Sequence, residues 1–160
     1  MLTAIKAAPG LVKSSAKIYL DHKLIYLMLT DELVRVSSIS SNHDRLVLDY
    51  DPLIGTLLGI EVLDFNIVSN ESIQLPAPDY SGILMLKPPY VTFDDPVSAN
   101  LYLDTGLLEV SFEADRVAAY IKVGDHLTAG LNSKGELSRI YVYGFHKYNS
   151  EGLMEPFRVV

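Results

Sequence analysis

Apolar and polar residues alternate along much of this chain with a period of two. In the run Leu107-Leu108-Glu109-Val110-Ser111-Phe112-Glu113, one face carries Leu108, Val110 and Phe112 and the other carries Glu109, Ser111 and Glu113. That is the signature of a strand with one wet face. The pattern predicts eight strands, at 24–29, 33–39, 45–50 and 57–64, then at 107–113, 117–122, 126–131 and 136–144. Val, Ile, Tyr and Leu dominate these runs, and Asn, Asp, Gly and Ser stand at the joins. Asn132-Ser133-Lys134-Gly135 predicts a hairpin turn, and Asp51-Pro52-Leu53-Ile54-Gly55 does the same with one extra residue. Short turns between consecutive strands predict antiparallel meanders, because a parallel return needs about a dozen residues. A segment at Tyr19 and one at Tyr102 add a short fifth strand before each meander. No stretch predicts a long helix.

The two sets of strands align with each other. Tyr19-Leu20-Asp21 falls on Tyr102-Leu103-Asp104, Leu24 on Leu107 and Val34 on Val117, at an offset of 83. The offset drops to 81 at Asp44/Asp125 and Leu46/Leu127, then to 80 at Gly55/Gly135, Leu57/Leu137, Ile60/Ile140, Val62/Val142 and Phe65/Phe145. Both length changes fall in predicted loops, which tolerate deletions. The expectation is a duplicated unit, at 18–65 and 99–146. Before it lies an N-terminal segment, 1–17. Between the copies runs a linker, 66–98, whose Pro76, Pro78, Pro88, Pro89 and Pro96 argue against helix, with short edge strands at 83–86 and 90–93. A tail, 147–160, follows, and its last five residues dock as a strand. The fold class expected is all-β: two similar four-stranded antiparallel meanders, related by a pseudo-twofold and packed as a sandwich or a partly closed barrel.

The closing half of the first copy resembles a small bacterial and archaeal domain family of about fifty residues and unknown function. Its members close with V-D-Y-D-x-x-G-x-L-V-G-I-E-I-L. Here Leu46-Val47-Leu48-Asp49-Tyr50-Asp51 and Gly55-Thr56-Leu57-Leu58-Gly59-Ile60-Glu61-Val62-Leu63 match that motif, and Leu24-Ile25-Tyr26-Leu27-Met28-Leu29 looks like its opening strand. The second copy keeps the shape and loses the chemistry, with Gly130 and Asn132 where Asp49 and Asp51 stand. The resemblance implies a β-rich fold and no particular activity.

Charge and composition narrow the partners. The net charge is −7, from 13 basic and 20 acidic residues, which repels phosphate backbones and anionic lipid. No apolar run reaches the ~18 residues of a membrane helix. The chain has no cysteine, which excludes disulfides, thiolate metal sites and thiol catalysis. The start lacks the long apolar centre of an export signal, and with no cysteine the expected location is the cytoplasm.

Candidate chemistry is sparse. Asp49 and Asp51, with His43 nearby in sequence, are the candidate metal ligands. A calcium loop carries more oxygen ligands at fixed spacing, so the competing reading puts Asp51 at the start of a turn and Asp49 on the solvent face. His43-Asp44 and Asp125-His126 occupy nearly equivalent loop positions in reversed order; His22 and His146 complete the histidines. Nothing matches a nucleophile elbow, a phosphate loop or a dinucleotide fingerprint, and no cofactor is expected. Tyr120, Tyr141, Tyr143 and Phe145 form an aromatic set that either stacks a ligand or is covered by the tail or a partner.

The clearest signal is an interaction surface. In the first strand of copy 1, Ile25, Leu27 and Leu29 face inward, yet the other face carries Leu24, Tyr26 and Met28 rather than polar residues. Leu63 and Phe65 are expected to extend that face. Such a patch is costly to leave wet, at roughly 1.5–3 kcal/mol per large side chain. The N-terminal stretch 2–12, the linker at 83–86 or a second subunit covers it, and a symmetric dimer is the favoured answer. The sequence therefore points to a non-enzymatic binding or assembly module that self-associates or takes a protein partner. The alternatives are a small-molecule or metal-dependent activity at the junction of the repeats, and an antitoxin-like inhibitor of a basic partner.

Overall fold

The computed structural model describes residues 4–7, 14–30, 36–41, 45–86, 92–93, 97–112, 116–148 and 154–155. The strands are β1 (Ala4–Ala7), β2 (Ser15–Tyr19), β3 (Leu24–Met28), β4 (Ser37–Ser41), β5 (Leu46–Tyr50), β6 (Leu57–Val62), β7 (Asn66–Val68), β8 (Tyr80–Ser81), β9 (Ile83–Leu86), β10 (Thr92–Phe93), β11 (Val97–Tyr102), β12 (Leu107–Phe112), β13 (Ala119–Val123), β14 (Leu127–Leu131), β15 (Leu137–Val142), β16 (His146–Tyr148) and β17 (Met154–Glu155). One 3₁₀ turn, Leu20–His22, joins β2 to β3. The fold is an all-β sandwich of two sheets that do not close into a barrel. The first sheet runs β10-β4-β5-β6-β3-β2-β16-β17 and the second β7-β11-β12-β15-β14-β13-β8, while β1 and β9 pair separately.

The central strands of the two sheets pair in corresponding registers. Ile25 and Leu27 pair with Val62 and Ile60 in the first sheet, as Leu108 and Val110 pair with Val142 and Ile140 in the second. Each sheet has one register irregularity between its third and fourth strands, at Asp49/Tyr50 and at Gly130/Leu131. These are the same position at the offset of 81. Ile60, Val62, Ile140 and Val142 are all buried, as the alignment predicts.

Pairing order refines the simple meander. The strands β4-β5-β6 and β13-β14-β15 are meanders, but β3 and β12 lie beside β6 and β15 rather than beside the strands that follow them. This is the Greek-key order read from the opposite end. The segments at Tyr19 and Tyr102 are full strands, β2 and β11, and β2 begins at Ser15, ahead of the expected repeat boundary. The halves also exchange an edge. Leaving the first sheet after β6, the chain adds β7 parallel to β11; leaving the second after β15, it adds β16 parallel to β2. Sequence alternation alone does not reveal an exchange of this kind.

One hydrophobic core fills the space between the sheets, and both contribute to it. Phe65 belongs to it at 3% exposure, and its counterpart Phe145 is also buried there. Phe65 therefore does not extend the outer patch, and Phe145 does not join an outer aromatic face. Both follow the end of a strand, where irregular backbone breaks the alternation. The linker strand β9 is not a cover for that patch either: Leu84 and Leu86 point into the core, and β9 pairs with β1. Thr92–Phe93 does take an edge, parallel to β4. The expected strand residues 33–35, the rest of the N-terminal stretch and the final five residues lie outside the described residues.

Candidate interaction face

Each sheet has an outer face, and the two are treated differently. Over the second sheet, residues 69–79 run from β7 at one edge to β8 at the other. Seven strands spaced about 4.8 Å put those edges roughly 29 Å apart, so this stretch must be nearly extended. Pro76 and Pro78 suit that shape and bring no N–H to satisfy. The segment is tied at both ends: Leu103 N–H donates to Val68 O (3.0 Å), Asp79 N–H to Tyr120 O (2.9 Å), and Tyr120 N–H to the Asp79 carboxylate (2.8 Å). Beneath it, Tyr102, Leu107 and Tyr141 are buried although they lie outside the inter-sheet core. Burial holds the Tyr102 hydroxyl above its usual pKa, with Glu109 and the strap's Glu71 adding to the rise. Tyr141 donates to Glu109, and burial and that carboxylate hold its hydroxyl far above the usual range. The Tyr120 and Tyr141 rings meet at 6.3 Å, tilted by 54°. Of the aromatic set, Tyr141 is buried on this face, Tyr120 and Tyr143 are half-buried, and Phe145 lies in the core.

The outer face of the first sheet has no such cover among the described residues. Its central row reads Lys17, Tyr26, Glu61, Val47 across β2, β3, β6 and β5. The next row reads Ser15, Met28, Gly59, Asp49, Ser38. Leu24 stands beside Tyr19. Leu24, Tyr26 and Met28 are all half-buried, and Leu63 is exposed. Position by position the contrast holds. Tyr19, Leu24, Val47 and Glu61 are half-exposed where Tyr102, Leu107, Thr128 and Tyr141 are buried. The two tyrosine–glutamate pairs are even transposed: Tyr26 faces Glu61 in the first sheet, and Glu109 faces Tyr141 in the second.

Gly59 sets the electrostatics of this face. With no side chain there, the Asp49 carboxylate leans over the strand, within 3.3 Å of where a β-carbon would stand. Asp49 also accepts from Ser38 Oγ at 2.6 Å. Burial, then the charge of Asp49, pushes the Glu61 carboxyl above its ordinary value. Burial, then Asp49 and Glu61, raises the Tyr26 hydroxyl. The face is an aromatic and thioether surface carrying an acidic pair on one side and Lys17 on the other.

A raised carboxyl pKa makes a testable statement. The folded chain disfavours the Glu61 carboxylate, so the penalty is absent below the unfolded value and complete above the raised one. Glu61→Gln should therefore melt a few degrees higher than wild type at pH 7, with the difference vanishing as pH falls to about 4. Thermal melts across that range check this; a constant or reversed difference contradicts it.

Asp49 and Asp51 take separate partners. Asp49 is engaged with Ser38, whereas Asp51 closes the turn, accepting Leu53 N–H at 2.8 Å while its backbone oxygen takes Gly55 N–H at 2.7 Å. Both places agree with the turn-and-solvent reading. His43 lies outside the described residues, and among the described residues no group of three or more His, Asp or Glu side chains is placed to hold a metal. At the junction of the halves, Arg45, Asp64, Phe65, Asn66 and Val97 line a cleft of about 50 Å³. Ligand pockets start near 300 Å³. One exposed feature escaped the alternation argument: Leu53 and Ile54, at 85% and 59% exposure, form an apolar tip where the other turn has Asn132-Ser133-Lys134. No described helix is long and apolar enough to cross a membrane. No model of a known protein family and no curated protein matches the chain.

Proposed function

We propose that this chain is a non-catalytic binding and assembly module that self-associates through the outer face of its first sheet. The supporting observation is the unequal treatment of two equivalent faces: one lies under residues 69–79, and the other presents Leu24, Tyr26 and Met28 half-exposed. A second copy suits that face because its charge runs in one direction. Lys17 lies at the β2 side of the central row, Glu61 and Asp49 towards β5. A twofold axis along the strands brings Lys17 of one copy over the acidic side of the other. The net charge supports partners other than nucleic acid or anionic membrane, and the absence of cysteine suits a reducing, cytoplasmic setting. The matched registers and irregularities support descent of both halves from one duplicated unit, and the motif at 46–63 supports placing that unit near the small β-domain family it resembles.

The test uses the lack of native cysteine. Glu61→Cys, treated at micromolar concentration with a short bismaleimide, should cross-link into a species of twice 17.7 kDa. Ser111→Cys, on the outer face of the second sheet, should stay monomeric on the gel. Equal cross-linking of the two variants, or none in Glu61→Cys, contradicts the proposal.

A further inference from the structure

The hairpin of β5 and β6 has unlike ends. Its turn projects Leu53 and Ile54, the apolar tip, at 85% and 59% exposure. The turn is firmly tied: the Asp51 carboxylate accepts Leu53 N–H, Asp51 O accepts Gly55 N–H, and Gly55 O accepts Leu86 N–H. At the other end of the same two strands, roughly 20 Å away by six residues of strand, opens the cleft of about 50 Å³. Leu46, Val62, Phe65, Ala99 and Val110 line it with buried apolar surface. Arg45 and Asp64, both exposed, stand at its mouth.

The second half of the chain lacks both features. The offsets of 81, 80 and 83 put His126 in the place of Arg45, Gly144 in that of Asp64 and Ser14 in that of Val97. There the His126 ring lies against Gly144, with Nδ1 within 2.6 Å of where a β-carbon would stand and 2.9 Å from Tyr143 O. Asp125 N–H donates to Ser14 Oγ at 3.2 Å. Local side chains thus fill the place that the first half leaves open. The matching turn is polar, Asn132-Ser133-Lys134. Ser14 precedes Ser15, which pairs with Met28, and Met28 pairs with Gly59 close to the apolar turn. The filled place and the apolar tip therefore share one end of the sandwich, and the open cleft lies at the other. One end projects and the opposite end is recessed.

Size and charge fit one to the other. A cavity of about 150 Å³ takes benzene, so a third of that volume suits the branched end of one leucine. Burying Leu53 there removes from water an apolar side chain that its own chain leaves wet. Asp51, two residues before Leu53, arrives with it at the mouth where Arg45 stands.

We propose that Leu53 of one copy seats in this cleft of the next, so that copies join head to tail along the strand direction. The contact is heterologous, and with tip and cleft at opposite ends it propagates rather than closing on a pair. It goes beyond the face-to-face association and does not depend on it. A pair with its twofold along the strands carries two tips at one end and two clefts at the other, so each junction between pairs is made twice.

The absence of native cysteine again supplies the test. Ser98 is exposed and lines the cleft. Ile54→Cys with Ser98→Cys, treated at high micromolar concentration with a short bismaleimide, should give a ladder that extends beyond twice 17.7 kDa. Either cysteine alone links no more than pairs, and within one chain the two lie too far apart to be bridged. Leu53→Asp, added to the double-cysteine variant, should reduce the species beyond the pair about tenfold or more. Tyr26→Lys with Met28→Glu, added instead, should leave the ladder in place, because it disables only the outer face of the first sheet. Products that stop at pairs, or a ladder that survives Leu53→Asp, overturn the tip-in-cleft contact and leave the face-to-face association standing. A ladder lost with Tyr26→Lys and Met28→Glu assigns the linking to that face and overturns it as well. A ladder from a chain that forms no face-to-face pair supports this contact and removes the other.

Discussion

Gly55→Ala should destabilise the protein by about 3 kcal/mol or more, lowering the melting temperature by roughly 6–12 °C for a chain of this size. Gly55 has φ +81°, a region that L-residues enter at a cost of about 1 kcal/mol. The larger share comes from contact. An alanine β-carbon would stand on the carbonyl oxygen of Leu86, far inside van der Waals distance, and that atom is backbone. The two residues are also bonded, Leu86 N–H donating to Gly55 O at 2.7 Å, with Thr56 bridging to Met85 alongside. The turn cannot shift without moving β9. Strand β9 holds Leu84 and Leu86 in the core, at 0% and 3% exposure, so a displaced β9 opens a cavity there. Denaturant melts of the variant check the size; a loss below about 1 kcal/mol would mean the turn and β9 move apart freely.

Much of this fold was legible because its signals are local. Alternation located the inward faces of β3 and β12, and the repeat predicted which residues of β6 and β15 would be buried. Hairpin chemistry at Asp51–Gly55 and Asn132–Gly135 marked the turns. The failures share one cause: they depend on what lies across space. A period of two continued past Val62 and Val142, where the strands end, points Phe65 and Phe145 outward. The placing of β3 beside β6, and the exchange of β7 and β16, leave no trace in periodicity. Residues 69–79 read as a proline-rich linker, and nothing in their composition says that they cover Tyr141. The face at Leu24, Tyr26 and Met28 was legible because it breaks the polar half of an otherwise regular alternation. Its acidic pair is not: sequence sets Asp49 beside Asp51, whereas the fold sets it beside Glu61, across Gly59.

Tyr26→Lys with Met28→Glu should convert a dimer into a soluble monomer. Both side chains stand on the outer face of β3, while Ile25 and Leu27 on its inner face are fully buried. The substitutions therefore place charge on the contact surface without entering the core. Burying either new charge in an interface costs several kcal/mol, more than enough to abolish micromolar association. In the monomer both groups remain in water, so the fold should survive with a near-normal melting temperature. Sedimentation equilibrium on wild type and variant, from about 1 to 100 µM, reads the outcome directly. Wild type should approach twice 17.7 kDa as concentration rises, and the variant should remain at 17.7 kDa. A wild type that stays at the monomer mass over that range, or a variant that dimerises as well as wild type, contradicts the assignment of this face.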